Sequence, residues 1–100
     1  MLIVAGTFTI EADHRAEMLT AVRPMVAATL EEPGCQAYVF SPDADDPGLV
    51  HLYELWDDQA ALDSHFASAH MAAWREASAK LPITSRNVAK YIISEVGTLP

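Results

Sequence analysis

The residues best suited to chemistry lie between Tyr53 and Trp74: Glu54 and Trp56 in the run Tyr53-Glu54-Leu55-Trp56, then His65, Phe66, His70, Met71 and Trp74. A small-molecule pocket needs this mixture, because apolar rings supply contact area while a few polar groups fix orientation. A histidine suits proton transfer, since its ordinary pKa of about 6.5 lies close to neutrality. A carboxylate beside it orients the imidazole and stabilises its charged form. His65 is therefore the first candidate for proton transfer, with Glu54 or Trp56 expected beside it. The same residues also fit an ordinary core, in which a buried histidine is satisfied by Glu54 or by backbone.

The elements that must position these side chains follow from periodicity and punctuation. Residues 2–9 are apolar and rich in β-formers, and read as a first strand ended by Glu11-Ala12-Asp13. Asp13 is the expected N-cap of a helix in which Met18, Leu19, Val22, Met25, Val26 and Leu30 recur at three- and four-residue spacing, the mark of one buried face. Pro24 should bend that helix, and Pro33-Gly34 stops it. Residues 35–41 and Leu49–Trp56 read as two strands of a hairpin around the turn formers of residues 42–48. Asp57 or Asp58 caps the next helix, whose stripe Ala61, Leu62, His65, Phe66 and Ala69 is expected to face inward. A second helical piece, residues 71–80, presents Met71, Trp74, Ser78 and Leu81 ahead of Pro82, and residues 87–95 read as the last strand.

This order predicts an α+β, ferredoxin-like βαββαβ fold with an antiparallel sheet, formed as one domain over residues 1–100. Strand parity adds a condition. In the third strand Val50, Leu52, Glu54 and Trp56 point one way and Leu49, His51, Tyr53 and Leu55 the other, and both sets are largely apolar or aromatic. The second strand behaves likewise, with Cys35, Ala37 and Val39 opposed to Gln36, Tyr38 and Phe40. A sheet with helices on one face and water on the other alternates apolar with polar, so a homodimer through the open sheet face is expected. Parity also separates Tyr53 from Glu54. Helical phase turns His70 about 140° away from His65 on a continuous helix, so His70 joins the site only if the helix breaks between them.

Composition excludes several function classes. The 100 residues carry a formal net charge of -8 with six scattered basic residues, a poor basis for holding a nucleic-acid backbone. No run approaches the roughly 18 apolar residues of a membrane span. Leu2-Ile3-Val4-Ala5 has no basic segment before it, and the single Cys35 excludes an internal disulfide framework, so a cytoplasmic location is expected. His14, His51, His65 and His70 form no i, i+4 pair and no HExxH arrangement, and no metal site is expected. A GxSxG nucleophile elbow and a phosphate-cradling glycine loop are both absent.

Glu32-Pro33-Gly34-Cys35 with Tyr38, then Pro47, Tyr53-Glu54-Leu55-Trp56, Asp58, Ala61-Leu62, His65, Ser68, His70 and Trp74 together resemble the antibiotic biosynthesis monooxygenase family, over nearly the whole chain. Members are dimeric α/β barrels that include small quinol and polyketide oxygenases. The resemblance implies an oxygenase that needs no metal, flavin or other cofactor and oxidises a quinol-like, polyphenolic or polyketide molecule with molecular oxygen. His65, Glu54 and Trp56 would be its catalytic residues, with Phe66, His70, Met71, Trp74 and Arg86 around a small aromatic or enolic substrate. Arg86 would stabilise an oxyanion or simply end a solvated strand.

The resemblance leaves the reaction open, because members of that family also degrade haem and isomerise sugar-phosphate-like metabolites. The haem-degrading pattern requires an Asn on the first strand, a Trp on the second helix and a His shortly after. Here the first strand has no Asn, and His65 stands near the Trp position. An isomerase would use the same His and Glu but want basic residues for a phosphate. A non-catalytic dimeric ligand-binding module would need only the rings.

Overall fold

A computed structural model describes residues 1–100. The chain runs β1 (Leu2–Ile10), a 3-10 turn (Ala12–His14), α1 (Arg15–Ala21), α2 (Arg23–Leu30), β2 (Cys35–Pro42), β3 (Leu49–Trp56), α3 (Gln59–Phe66), α4 (Ala69–Ser78) and β4 (Ile83–Ile92). The four strands form one sheet in the order β2-β3-β1-β4, with every neighbouring pair antiparallel. This is the ferredoxin-like βαββαβ arrangement expected from the sequence. No helix is long and apolar enough to cross a membrane.

Alternation along the strands determines which side the helices cover. Leu2, Val4, Phe8 and Ile10 of β1 and Val50, Leu52 and Trp56 of β3 are buried against Met18, Val22, Met25, Leu62 and Trp74 from the helices. Burying each large apolar side chain stabilises the fold by roughly 1.5–3 kcal/mol, and Trp56, Met18 and Val50 are wholly enclosed. At Gly6 a β-carbon would collide with the Asn87 carbonyl oxygen, so the missing side chain lets β1 and β4 close. The opposite face is bare: Val39, Tyr53 and Tyr91 are exposed there.

Several local expectations need correction. Asp13 caps nothing; it lies within the 3-10 turn, and neither that turn nor α1 has a side-chain cap. Pro24 divides the expected long helix at Val22 and takes a place in the first turn of α2, where its missing N–H breaks no helical bond. Leu30 is half exposed, because the last turn of α2 overhangs edge strand β2. Leu19, Val26, Leu30 and Val39 line an apolar groove of about 470 Å³ there.

A register shift between Cys35 and Ala37 places Cys35 opposite Trp56 and against the core, rather than on the face of Ala37 and Val39. The last strand begins at Ile83 and ends at Ile92, not at residues 87 and 95, because β1 sets its length. Leu2 pairs with Ile92, and Ile93 makes one further bond to the Met1 carbonyl before β1 runs out.

The β2–β3 loop is held by its own carboxylate. Asp43 Oδ2 accepts from the backbone N–H groups of Asp45 and Asp46 at 3.1 and 2.8 Å, and Oδ1 meets His51 Nε2 at 2.7 Å. These donors lower the Asp43 pKa to about 2, with the Asp46 amide the largest cause. Arg15 reaches over from α1 to donate to the Asp46 and Asp43 carbonyls at 2.8 and 3.2 Å.

Candidate active site

Three local features bring the candidate site together. Asp58 caps α3 by accepting from the Ala61 N–H at 2.8 Å, which fixes the phase that turns Leu62 and His65 inward. Phe66 and Ala69, expected on the same inward stripe, are exposed, because α3 ends at Phe66 and α4 starts afresh at Ala69. Ser68 makes that break: its Oγ donates to the His65 carbonyl at 2.6 Å and accepts from the Met71 N–H at 3.3 Å. The helix therefore does break between the two histidines, and His70 swings back toward His65, with ring centroids 5.9 Å apart.

The third feature is the turn at Glu32-Pro33-Gly34. Gly34 has φ +85°, and a β-carbon there would stand 2.6 Å from Ala61 Cβ. Glycine thus supplies both the left-handed backbone and the close approach to α3. Its carbonyl accepts from the Asp57 N–H at 2.9 Å. This docking carries Glu32 to the histidines, where its Oε2 accepts from His65 Nδ1 at 2.7 Å and from His70 Nε2 at 2.9 Å.

The carboxylate fixes the tautomer. An ionised carboxylate only accepts, so each imidazole presents an N–H to Glu32. In neutral His65 the lone pair is then on Nε2, which lies 3.4 Å from the Tyr38 hydroxyl. Burial lowers the His65 pKa, outweighing the opposing pull of Glu32. Burial likewise raises the Tyr38 pKa and keeps the phenol protonated near neutrality. His65 is 1% exposed and sits between rings, 4.8 Å from Trp56 and 5.2 Å from Tyr38 between centroids.

Glu54 occupies the same side of the sheet but does not bond to His65. Its Oε1 accepts from Trp56 Nε1–H at 2.9 Å. Burial pushes its pKa up to about 7, against the lowering effect of the Trp56 bond. A cavity of about 250 Å³ opens beside these groups, and Glu54, His65, Phe66, Met71, Trp74 and Arg86 all reach its wall, together with Tyr38 and Phe40. Arg86 lies over the Phe8 ring at 5.8 Å and donates to Ser78 Oγ at 3.4 Å. Trp56 does not reach the cavity; it is fully enclosed behind His65. His70 also lies outside this cavity, and it shares the Glu32 carboxylate with His65.

Two members of the arrangement, Glu32 and Tyr38, were absent from the candidates chosen by spacing. Both stand in the motif Glu32-Pro33-Gly34-Cys35 with Tyr38 that carries the family resemblance. That motif was the available signal, since Glu32 lies 33 residues from His65 along the chain.

A model of the antibiotic biosynthesis monooxygenase family matches residues 1–77. An uncharacterized protein of Synechocystis is 29% identical over 98% of this chain and 67% of its own length. Rv0793 of Mycobacterium tuberculosis, named as a candidate monooxygenase, is 32% identical over 72% of this chain and 70% of its own. A crystal structure from Deinococcus radiodurans, described as a candidate antibiotic biosynthesis monooxygenase, superposes with a TM-score of 0.90 at 28% identity, covering 100% of this chain and 99% of that one.

Proposed function

The chain belongs to the antibiotic biosynthesis monooxygenase family, and from that premise we propose that it oxidises a quinol-like, polyphenolic or polyketide molecule with molecular oxygen. The observation that carries this reading is the placement of His65, with Nδ1–H bound to Glu32 and Nε2 turned toward Tyr38 at the wall of an apolar cavity. A neutral imidazole there accepts the proton of a phenol or enol whose ring lies against Trp74, Phe66 and Met71. Arg86 offers its charge to the resulting oxyanion. Glu54, with a pKa raised to about 7, holds or releases a second proton near neutrality. Trp56 acts from behind, fixing Glu54 through its indole N–H and packing against His65.

Oxygen then reacts with an electron-rich carbanion or phenolate. For a CH2 group flanked by aromatic or carbonyl groups, removal of a proton and addition of O2 gives a hydroperoxide after reprotonation. Loss of water yields C=O, so one oxygen atom enters the product and the other leaves as water. An apolar wall excludes competing solvent from this sequence.

The proposed assembly is a homodimer closed over the bare sheet face, and the proposed location is the cytoplasm. Exposed Val39 and Tyr53, directly opposite one another in the β2–β3 ladder, support the dimer, because an apolar patch on both chains is self-complementary about a two-fold axis. Oxygen uptake with a panel of hydroquinones and enolic ketones tests the reaction, with His65→Ala and Trp56→Phe as controls. Protein-dependent uptake that disappears in His65→Ala supports it. No uptake with any of these compounds would move the assignment to an isomerase or a non-catalytic binding module.

A further inference from the structure

We propose that Glu32, His65 and His70 form a binding site for a first-row transition metal ion of the Zn²⁺ or Co²⁺ type. This departs from the expectation drawn from histidine spacing, and it competes with the oxygenase reading, because an ion on His65 would remove the proton acceptor that reading uses. The three groups come from the α2–β2 turn, α3 and α4, so no spacing within one element announces them. Their candidate ligand atoms, Glu32 Oε2, His65 Nδ1 and His70 Nε2, all lie within 4.8 Å of one another. The two nitrogen-to-oxygen edges are 2.7 and 2.9 Å. Adjacent ligands of an ion with bonds of about 2.0–2.2 Å stand roughly 3 Å apart, so binding requires the Glu32 carboxylate to swing aside and the two imidazole nitrogens to close on one another.

The donor set selects the class of ion. Two imidazoles and one carboxylate favour zinc, cobalt, nickel or copper, whereas magnesium and calcium favour all-oxygen cages. Access and support are both present. The His65 side chain is 1% exposed, Glu32 14% and His70 23%, so the cluster is anchored inside and open on the His70 side, where water could complete the coordination. The Gly34 turn and the Ser68 break hold Glu32 and the two histidines in register. The other histidine–carboxylate contacts, centred on His14 and His51, lie at the surface with histidine side chains 43% and 47% exposed, and neither gathers two imidazoles.

Ligation would replace the His65 Nδ1 proton and leave the ring N–H at Nε2. A metal-loaded chain therefore donates toward Tyr38 and the cavity where the metal-free chain accepts.

The test is a titration of metal-stripped protein with Co²⁺, followed by its visible absorption, and then displacement by Zn²⁺. One ion per chain is expected, with Zn²⁺ binding tighter than Co²⁺. Glu32→Gln and His70→Gln should each weaken binding by about tenfold or more, while His14→Gln and His51→Gln leave it unchanged. Both informative positions are partly exposed, and far-UV circular dichroism establishes that each variant is folded. Absence of Co²⁺ and Zn²⁺ binding would overturn the proposal. Binding that survives both Glu32→Gln and His70→Gln, or that is lost in His14→Gln or His51→Gln, would overturn it equally.

Discussion

Glu32 and His65 are joined by a 2.7 Å hydrogen bond from imidazole Nδ1 to carboxylate Oε2, across 33 residues of chain. The bond leaves the other ring nitrogen facing the Tyr38 hydroxyl at 3.4 Å. Replacing His65 with Ala removes the proposed base and should lower turnover by about 10²–10⁴-fold with any active substrate. Glu32→Gln keeps the ring in place but loses the charge that orients it, and should cost about ten- to a hundredfold, mainly in kcat. Steady-state oxygen uptake compares the two. Equal activity in wild type and Glu32→Gln would remove Glu32 from the mechanism.

Glu54 makes stability depend on pH. Its pKa is about 7 in the fold against an ordinary 4.5, so the native state binds the proton more tightly than the unfolded chain. The stabilisation is fully present below about pH 4.5 and is lost as pH rises through about 7. The shift corresponds to roughly 3 kcal/mol, at about 1.4 kcal/mol per pKa unit. Glu54→Gln stays neutral and its amide oxygen can still accept from Trp56. Urea denaturation of both proteins at pH 5 and pH 8 should show the variant gaining on wild type by most of that amount at the higher pH. A pH-independent difference would show that Glu54 is not held neutral by burial.

Gly34→Ala should destabilise the fold by roughly 1–3 kcal/mol, since alanine is strained at φ +85° and its methyl meets Ala61. The same change should shift the His65 imidazole resonances, because the turn that carries Glu32 must move. An unchanged histidine spectrum with lowered stability would uncouple the turn from the site.

Tyr53→Glu should convert a dimer to monomers. Light scattering at micromolar concentration should give the mass of two 10.9 kDa chains for wild type and one for the variant. The charge would sit opposite Val39 on β2 and Ala5 on β1, in the middle of the bare face. A monomeric wild type would leave that face without the proposed partner.

Trp56→Phe removes the indole N–H that Glu54 accepts, while retaining most of the ring that packs on His65. Loss of one hydrogen bond to a buried group should cost about 1–3 kcal/mol in urea denaturation. A neutral effect would mean that Glu54 finds another donor.

The order of strands and helices is legible in the sequence, because the information needed is periodic and local. Alternation along β3 assigns Glu54 and Trp56 to one face and Tyr53 to the other, and the structure keeps that division. Turn formers and helix stops place most boundaries to within a few residues. The ends of the last strand are not legible there, because they depend on its pairing with β1 rather than on its own composition.

The site required the tertiary structure. His65 was legible as a buried polar residue on an apolar stripe, but its carboxylate partner was not. Glu54, two residues from Trp56, bonds to that neighbour, while distant Glu32 reaches the imidazole through a glycine turn. His70 lay out of phase on a continuous helix and returned only because Ser68 breaks it. Periodicity assigns a residue to a face, since it depends on backbone geometry alone. Which polar groups meet on that face depends on how the turns dock, and that is decided by packing between elements far apart in the chain.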